Sequence, residues 1–110
     1  MKIPLSRIAH GRSGDKGDMA NIGIIAYEER HYPILLREVT PERVKQHFGD
    51  RIRGSVVRHE LPNLGALNFL CHEALGGGGT LSMRIDAQGK TYAAGLLGME
   101  IDADPSEFGD

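Results

Sequence analysis

Residues 20–27, Ala-Asn-Ile-Gly-Ile-Ile-Ala-Tyr, are apolar at odd and even positions alike. A strand with that pattern is buried on both faces and belongs in the centre of a sheet. The chain must therefore cover each side of this strand, with its own helices or with another copy. At 110 residues it is read as one domain, long enough for one hydrophobic core.

The flanking segments supply the other elements. Residues 2–9 read as a first strand, with Ile3 and Leu5 alternating with polar neighbours and Pro4 suited to a strand start or sheet edge. Residues 31–48 read as helix in two pieces, because Pro33 is tolerated only in a first turn and Thr40-Pro41 restarts the helix as N-cap and first position. Val44 and Phe48 share the inner face of the second piece, and Gly49-Asp50 ends it. Residues 52–61 read as a strand through Val56-Val57. Asn63 is suited to cap a helix over 64–75 whose stripe is Leu64, Leu67, Asn68, Cys71 and Leu75. Residues 80–86 alternate as a strand (Leu81, Met83, Ile85), Gln88-Gly89 reads as a turn, and 91–101 as the last strand. The order β-β-α-β-α-β-β predicts an α+β fold, a two-layer ferredoxin-like sandwich. Its strand–helix–strand units imply parallel neighbours and its last two strands a hairpin, hence a mixed β-sheet with helices on one face. Residues 1–101 form the domain, and 102–110 an acidic C-terminal tail that is expected to fray.

Eight of the 15 glycines lie within residues 11–23 and in the run Gly76-Gly77-Gly78-Gly79. The segment Gly11-Arg12-Ser13-Gly14-Asp15-Lys16-Gly17-Asp18 reads as a glycine-rich loop between two strands. Its backbone N–H groups, with Ser13, Gly14 and Gly17 among them, can converge on an anion. Arg12 can clamp a carboxylate or phosphate through two hydrogen bonds, and Lys16 adds a mobile charge. Asp15 and Asp18 can orient those bases or act on a proton. Neither a Walker loop nor a dinucleotide-binding pattern is present. The alternative reading is a tight, salt-bridged connection.

Asn21 interrupts an apolar strand, and Asn68 an apolar stripe, so each amide either ties down backbone or touches ligand. Arg84, on the polar side of its strand, is a further candidate. The predicted pocket joins residues 11–18 to Asn68 and Arg84. Five histidines (His10, His31, His47, His59, His72) show no metal-ligand spacing, and no metal or cofactor is expected.

The net charge is −2, and the tail holds Asp102, Asp104, Glu107 and Asp110. Without these four acids the chain carries 13 bases and 11 acids, too even a balance for nucleic acid. No apolar run is long enough to cross a membrane, and the N-terminus carries no signal-peptide pattern. Cys71 is the only cysteine, which fits a reducing compartment, so the chain is expected to be cytoplasmic. Apolar residues on both strand faces predict a homo-oligomer.

Arg12-Ser13-Gly14-Asp15-Lys16-Gly17-Asp18 with Ala20-Asn21-Ile22-Gly23, and Leu61-Pro62-Asn63-Leu64-Gly65-Ala66-Leu67-Asn68-Phe69 with the glycine run and Arg84 behind it, resemble the AtuA-like family. This is the small C-terminal domain of acyclic terpene utilisation proteins, which also occurs as a free-standing chain. The resemblance spans residues 3–101. It implies a ferredoxin-like fold and a setting in terpenoid catabolism through acyl-CoA intermediates, and supplies no catalytic residues. The expected function is binding of a small anion, a carboxylate or acyl-CoA-like group, or an accessory role in acyl-CoA metabolism. The alternatives are a small hydratase or lyase with Asp15 or Asp18 as general base, and a subunit that docks on a larger AtuA-like partner.

Overall fold

The computed structural model describes residues 1–74 and 92–108, apart from the side chains of Asp15 and Lys16. The strands are β1 (Lys2–Pro4), β2 (Ala9–Lys16), β3 (Met19–Ala26), β4 (Val56–Leu61), β5 (Ala66–Cys71) and β6 (Glu100–Asp102). The helices are α1 (Tyr32–Glu38), α2 (Pro41–Phe48), α3 (residues 92–97) and α4 (Pro105–Phe108). The main sheet has the order β2-β3-β5-β4, and β1 pairs separately with β6.

The expected central strand is central. β3 pairs with β2 on one side and β5 on the other. Alternation along the strands then assigns two faces. Ala20, Ile22 and Ile24 of β3 stand beside Cys71, Phe69 and Leu67 of β5, and all six are buried. Leu35 of α1, Val44 and Phe48 of α2, and Tyr92 and Leu96 of α3 complete this one core, so the described helices pack on a single face. Thr40 caps α2 as expected, its Oγ1 accepting a hydrogen bond from the Arg43 N–H at 3.2 Å. Arg58 reaches from β4 to the end of α1 and donates to the Leu36 and Val39 carbonyls, each at 2.9 Å. Those carbonyls would otherwise lack partners at the helix terminus.

The strand expected over residues 2–9 is broken by a 3-10 turn at Leu5–Arg7, which leaves Lys2–Pro4 in the two-stranded sheet and Ala9 in the main one, and the structure departs from the sequence reading in four further places. The segment expected as helix 64–75 is the strand β5, preceded by a single 3-10 turn at Pro62–Leu64. A helix with the predicted stripe would have turned Phe69 outward. As a strand, the chain buries Phe69 fully, beside Leu67, and a buried side chain of that size contributes about 1.5–3 kcal/mol. That outweighs helix-propensity differences of roughly a few tenths of a kcal/mol per residue. Second, residues 11–16, expected in a loop, belong to β2, which is in register with β3 from Ala9↔Ala26 to Lys16↔Met19. The turn is only Gly17-Asp18, with Gly17 at φ 63°, as a tight two-residue hairpin requires at its first position.

Third, residues 92–97, expected in a strand, are helical, and strand resumes at Glu100. Fourth, the described pairings are all antiparallel, so the parallel neighbours inferred from strand–helix–strand units are not among them. The tail is also better held than expected. α4 buries Phe108, and Arg37 binds Glu107 through Nη1 at 2.7 Å and the Asp102 carbonyl through Nη2 at 2.8 Å. The glycine run 76–79, the strand expected at 80–86 and the turn at 88–89 lie outside the described residues.

Candidate functional site

The second face of the main sheet carries no described helix. Its side chains come from the alternate positions of the same strands: His10, Arg12 and Gly14 of β2, Asn21, Gly23 and Ile25 of β3, Ala66, Asn68 and Leu70 of β5, and Val57, His59 and Leu61 of β4. Cross-strand register sets them in rows. The central row reads Arg12, Gly23, Asn68, His59 across four strands. Neighbouring strands lie about 4.8 Å apart, so Arg12 and Asn68 stand roughly 10 Å apart at their Cα atoms with a bare glycine between them.

A cavity of about 560 Å³ opens on this face, within the size range of small-molecule sites. Arg12, Asn21 and Asn68 line its polar side, Gly14 and Gly23 lie against it, and Ile25, Leu61, Leu64 and Ala66 form an apolar wall. Three of the polar groups have no partner among the described residues. Arg12 is exposed and forms no ion pair or hydrogen bond with any described residue. The side-chain amides of Asn21 and Asn68 likewise form no hydrogen bond with a described residue. Among the described residues Arg12 is the one charged side chain in the lining, and no carboxylate shares it. Such a site favours an anion at one end and hydrocarbon at the other.

The sequence-derived candidates divide by location. Arg12, Gly14, Asn21 and Asn68 come together here. Ser13 also borders the cavity, but its Oγ accepts a hydrogen bond from the Ala93 N–H at 3.1 Å, which joins β2 to α3. Gly17 and Asp18 form the hairpin turn, where the Asp18 carbonyl accepts from the Ala74 N–H at 2.9 Å, and neither belongs to the lining. Asp15 and Lys16 are placed by backbone alone, opposite Ala20 and Met19. Arg84 lies outside the described residues. The pocket joins strands β2, β3 and β5, where the sequence reading had joined a loop to a helix.

Gly23, Ile25, Leu61, Leu64 and Ala66 were not named as site residues from sequence, although all but Ile25 fall within the motifs that carry the family resemblance. A period-two reading of 66–71 would have put Asn68 on the face opposite Phe69, and the exposed apolar pair Leu61 and Leu64 beside it. Among the described residues no group of His, Cys, Asp or Glu side chains is arranged to hold a metal ion. No described helix is long and apolar enough to cross a membrane.

The fold and the cavity together define a ferredoxin-like α+β domain with a polar-and-apolar groove on its open sheet face. The family described as the AtuA ferredoxin-like domain matches residues 3–102, and the chain belongs to that family. Neither a curated protein nor a solved structure gives a significant match.

Proposed function

We propose that the groove binds a small carboxylic acid with an apolar body. The carboxylate pairs with the Arg12 guanidinium and accepts N–H bonds from the Asn21 and Asn68 amides, while Ile25, Leu61, Leu64 and Ala66 take up the hydrocarbon. The observation that carries this reading is the convergence on an apolar groove of one guanidinium and two amides that make no bond to any described residue, with no acid in the described lining. This supports a binding or accessory role in the metabolism of apolar acids or their acyl-CoA forms, the setting that the family resemblance implies; the lone Cys71 is in keeping with a cytoplasmic place of work. The groove favours binding over hydratase or lyase chemistry with Asp18 as general base, because Asp18 stands at the hairpin turn, outside the described lining.

A second reading concerns assembly. Val57 and Leu61 are 40% exposed, Tyr27 60% and Leu64 69%. Large apolar side chains grouped on one sheet face mark an association surface, and a second copy of the chain is the occupant we propose.

Titration calorimetry with cyclohexanecarboxylate and heptanoate tests the binding reading. A hydrogen bond to a charged group contributes about 1.5–3 kcal/mol, so Arg12→Gln is expected to weaken either acid by roughly 10- to 150-fold. Equal affinity for wild type and Arg12→Gln, or no binding to wild type, overturns it.

A further inference from the structure

Glycine inside a strand weakens it, and normally answers to tight packing, a special backbone conformation or the close approach of another group. β2 and β3 contain Gly11, Gly14 and Gly23. Gly11 answers to packing, since a Cβ there would meet the Gly23 carbonyl oxygen at 2.8 Å and Ile24 Cδ1 at 3.0 Å. Gly14 and Gly23 do not. Neither has a positive φ. Among the described residues a Cβ at Gly14 would meet nothing within 4 Å, and one at Gly23 would make only ordinary contacts, 3.7 Å to the Arg12 carbonyl oxygen and 3.9 Å to Asn68 Oδ1.

These two glycines also share a place. Both line the groove, and Gly23 lies in the row between Arg12 and Asn68, with Gly14 one position further along the same face. Whatever the guanidinium and the Asn68 amide hold therefore rests its nearest atoms on bare backbone.

From this we infer that Gly14 and Gly23 are specificity-determining positions, which admit a carboxylic acid whose bulk begins next to the carboxyl group, such as a ring. This rests on the carboxylate reading of the groove. A thin chain leaves the two spaces empty, whereas a ring fills them. A methyl group at position 23 takes up the space that the ring occupies, and one carbon in such a pocket changes affinity by about 10- to 200-fold.

The test compares cyclohexanecarboxylate with heptanoate, which has the same number of carbons, by calorimetry on wild type, Gly14→Ala, Gly23→Ala, Arg12→Gln and His59→Ala. His59 shares the face but lines neither the groove nor the proposed association surface. Wild type and His59→Ala are expected to bind the cyclic acid more tightly. Each alanine-for-glycine variant is expected to lose at least about 10-fold on the cyclic acid and at most about 3-fold on heptanoate. Its melting temperature should equal or exceed that of wild type, which separates a binding defect from misfolding. If both glycine variants keep wild-type selectivity while Arg12→Gln loses binding, the inference falls and the carboxylate site stands. If wild type binds neither acid, both fall. If the alanines change the oligomeric state and leave acid binding intact, the glycines serve backbone approach between copies, and the inference is overturned.

Discussion

Asn68→Leu separates the role of the open face from the stability of the sheet. Asn68 is half-buried in β5, with β3 on one side and β4 on the other, and its amide has no described partner to lose. Leucine is close to asparagine in length and better suited to a pleated, half-buried surface. Strand preferences span about 1 kcal/mol, so the variant should be as stable as wild type or gain up to that amount. For a domain near this size, that raises the melting temperature by at most roughly 4–8 °C. Binding should move the other way. Losing one hydrogen bond to a carboxylate costs about 1.5–3 kcal/mol, and the added methyl groups return part of it, which leaves about a 10-fold loss as the expected result. Thermal denaturation followed by circular dichroism, with calorimetry on cyclohexanecarboxylate, reads both quantities from one preparation. A variant destabilised by more than about 1 kcal/mol would mean that the amide braces the fold, since unsatisfied partners would then be left behind. Undiminished affinity would remove Asn68 from the site.

Gly11→Ala forces a Cβ onto the Gly23 carbonyl of the paired strand, so it should cost about 1–3 kcal/mol in urea denaturation, and a wild-type midpoint would refute the close approach. Glu107 is held below its ordinary value by the Arg37 hydrogen bond. Burial pulls Glu38 upward, but the Asp102 N–H and the Arg37 and Arg43 charges outweigh it, so this carboxyl too is lowered. Groups shifted in this direction contribute fully above their ordinary values, near 4.5, and the contribution is lost as pH falls through the lowered ones. Arg37→Met should therefore lower the melting temperature more at about pH 7 than near pH 2, where the bond to the Asp102 carbonyl is still lost but the carboxylate pairs no longer contribute, and an equal decrement at both would refute the clasp. Light scattering at tens of micromolar, a rough working range for modest interfaces, should give at least a dimer, and Leu64→Lys should return a monomer. A monomeric wild type removes the second reading.

Much of the architecture was legible because local signals agreed with the final packing. β3 is apolar on both faces, α2 opens on Thr40-Pro41 and ends at Gly49, and β4 follows the Val56-Val57 pair. β5 was misread for a physical reason. Its leucines, alanine and asparagine carry no β-branched signature, and apolar residues fall on both faces because the second face is half a cavity wall. The stripe therefore fits a period of 3.6 as well as a period of two, and only pairing with β3 and β4 decides. β2 was misread because glycines signal turns in isolation. Here one of them admits a neighbouring strand's carbonyl and another closes the hairpin. Asn21 and Asn68 could be singled out as polar groups in apolar surroundings, and Arg12 as a base in a glycine-rich segment, yet their meeting on one face follows from register, which no local pattern encodes. The apolar half of the groove was invisible for the converse reason, that Leu61 and Leu64 look like ordinary core residues.

Cys71 closes β5 on the core side, fully buried, with burial pushing its thiol up to about 11. Thiol reagents attack the thiolate, so in the folded chain this sulfur is shielded both sterically and chemically. It is also the one cysteine of the sequence. Its rate of modification is therefore a clock for the opening of the central strands. An acid seated on the opposite face of the same sheet, binding only the closed form, slows that clock in proportion to its occupancy. The molecule carries its own reporter for the proposed ligand, separated from the groove by the thickness of one β-sheet.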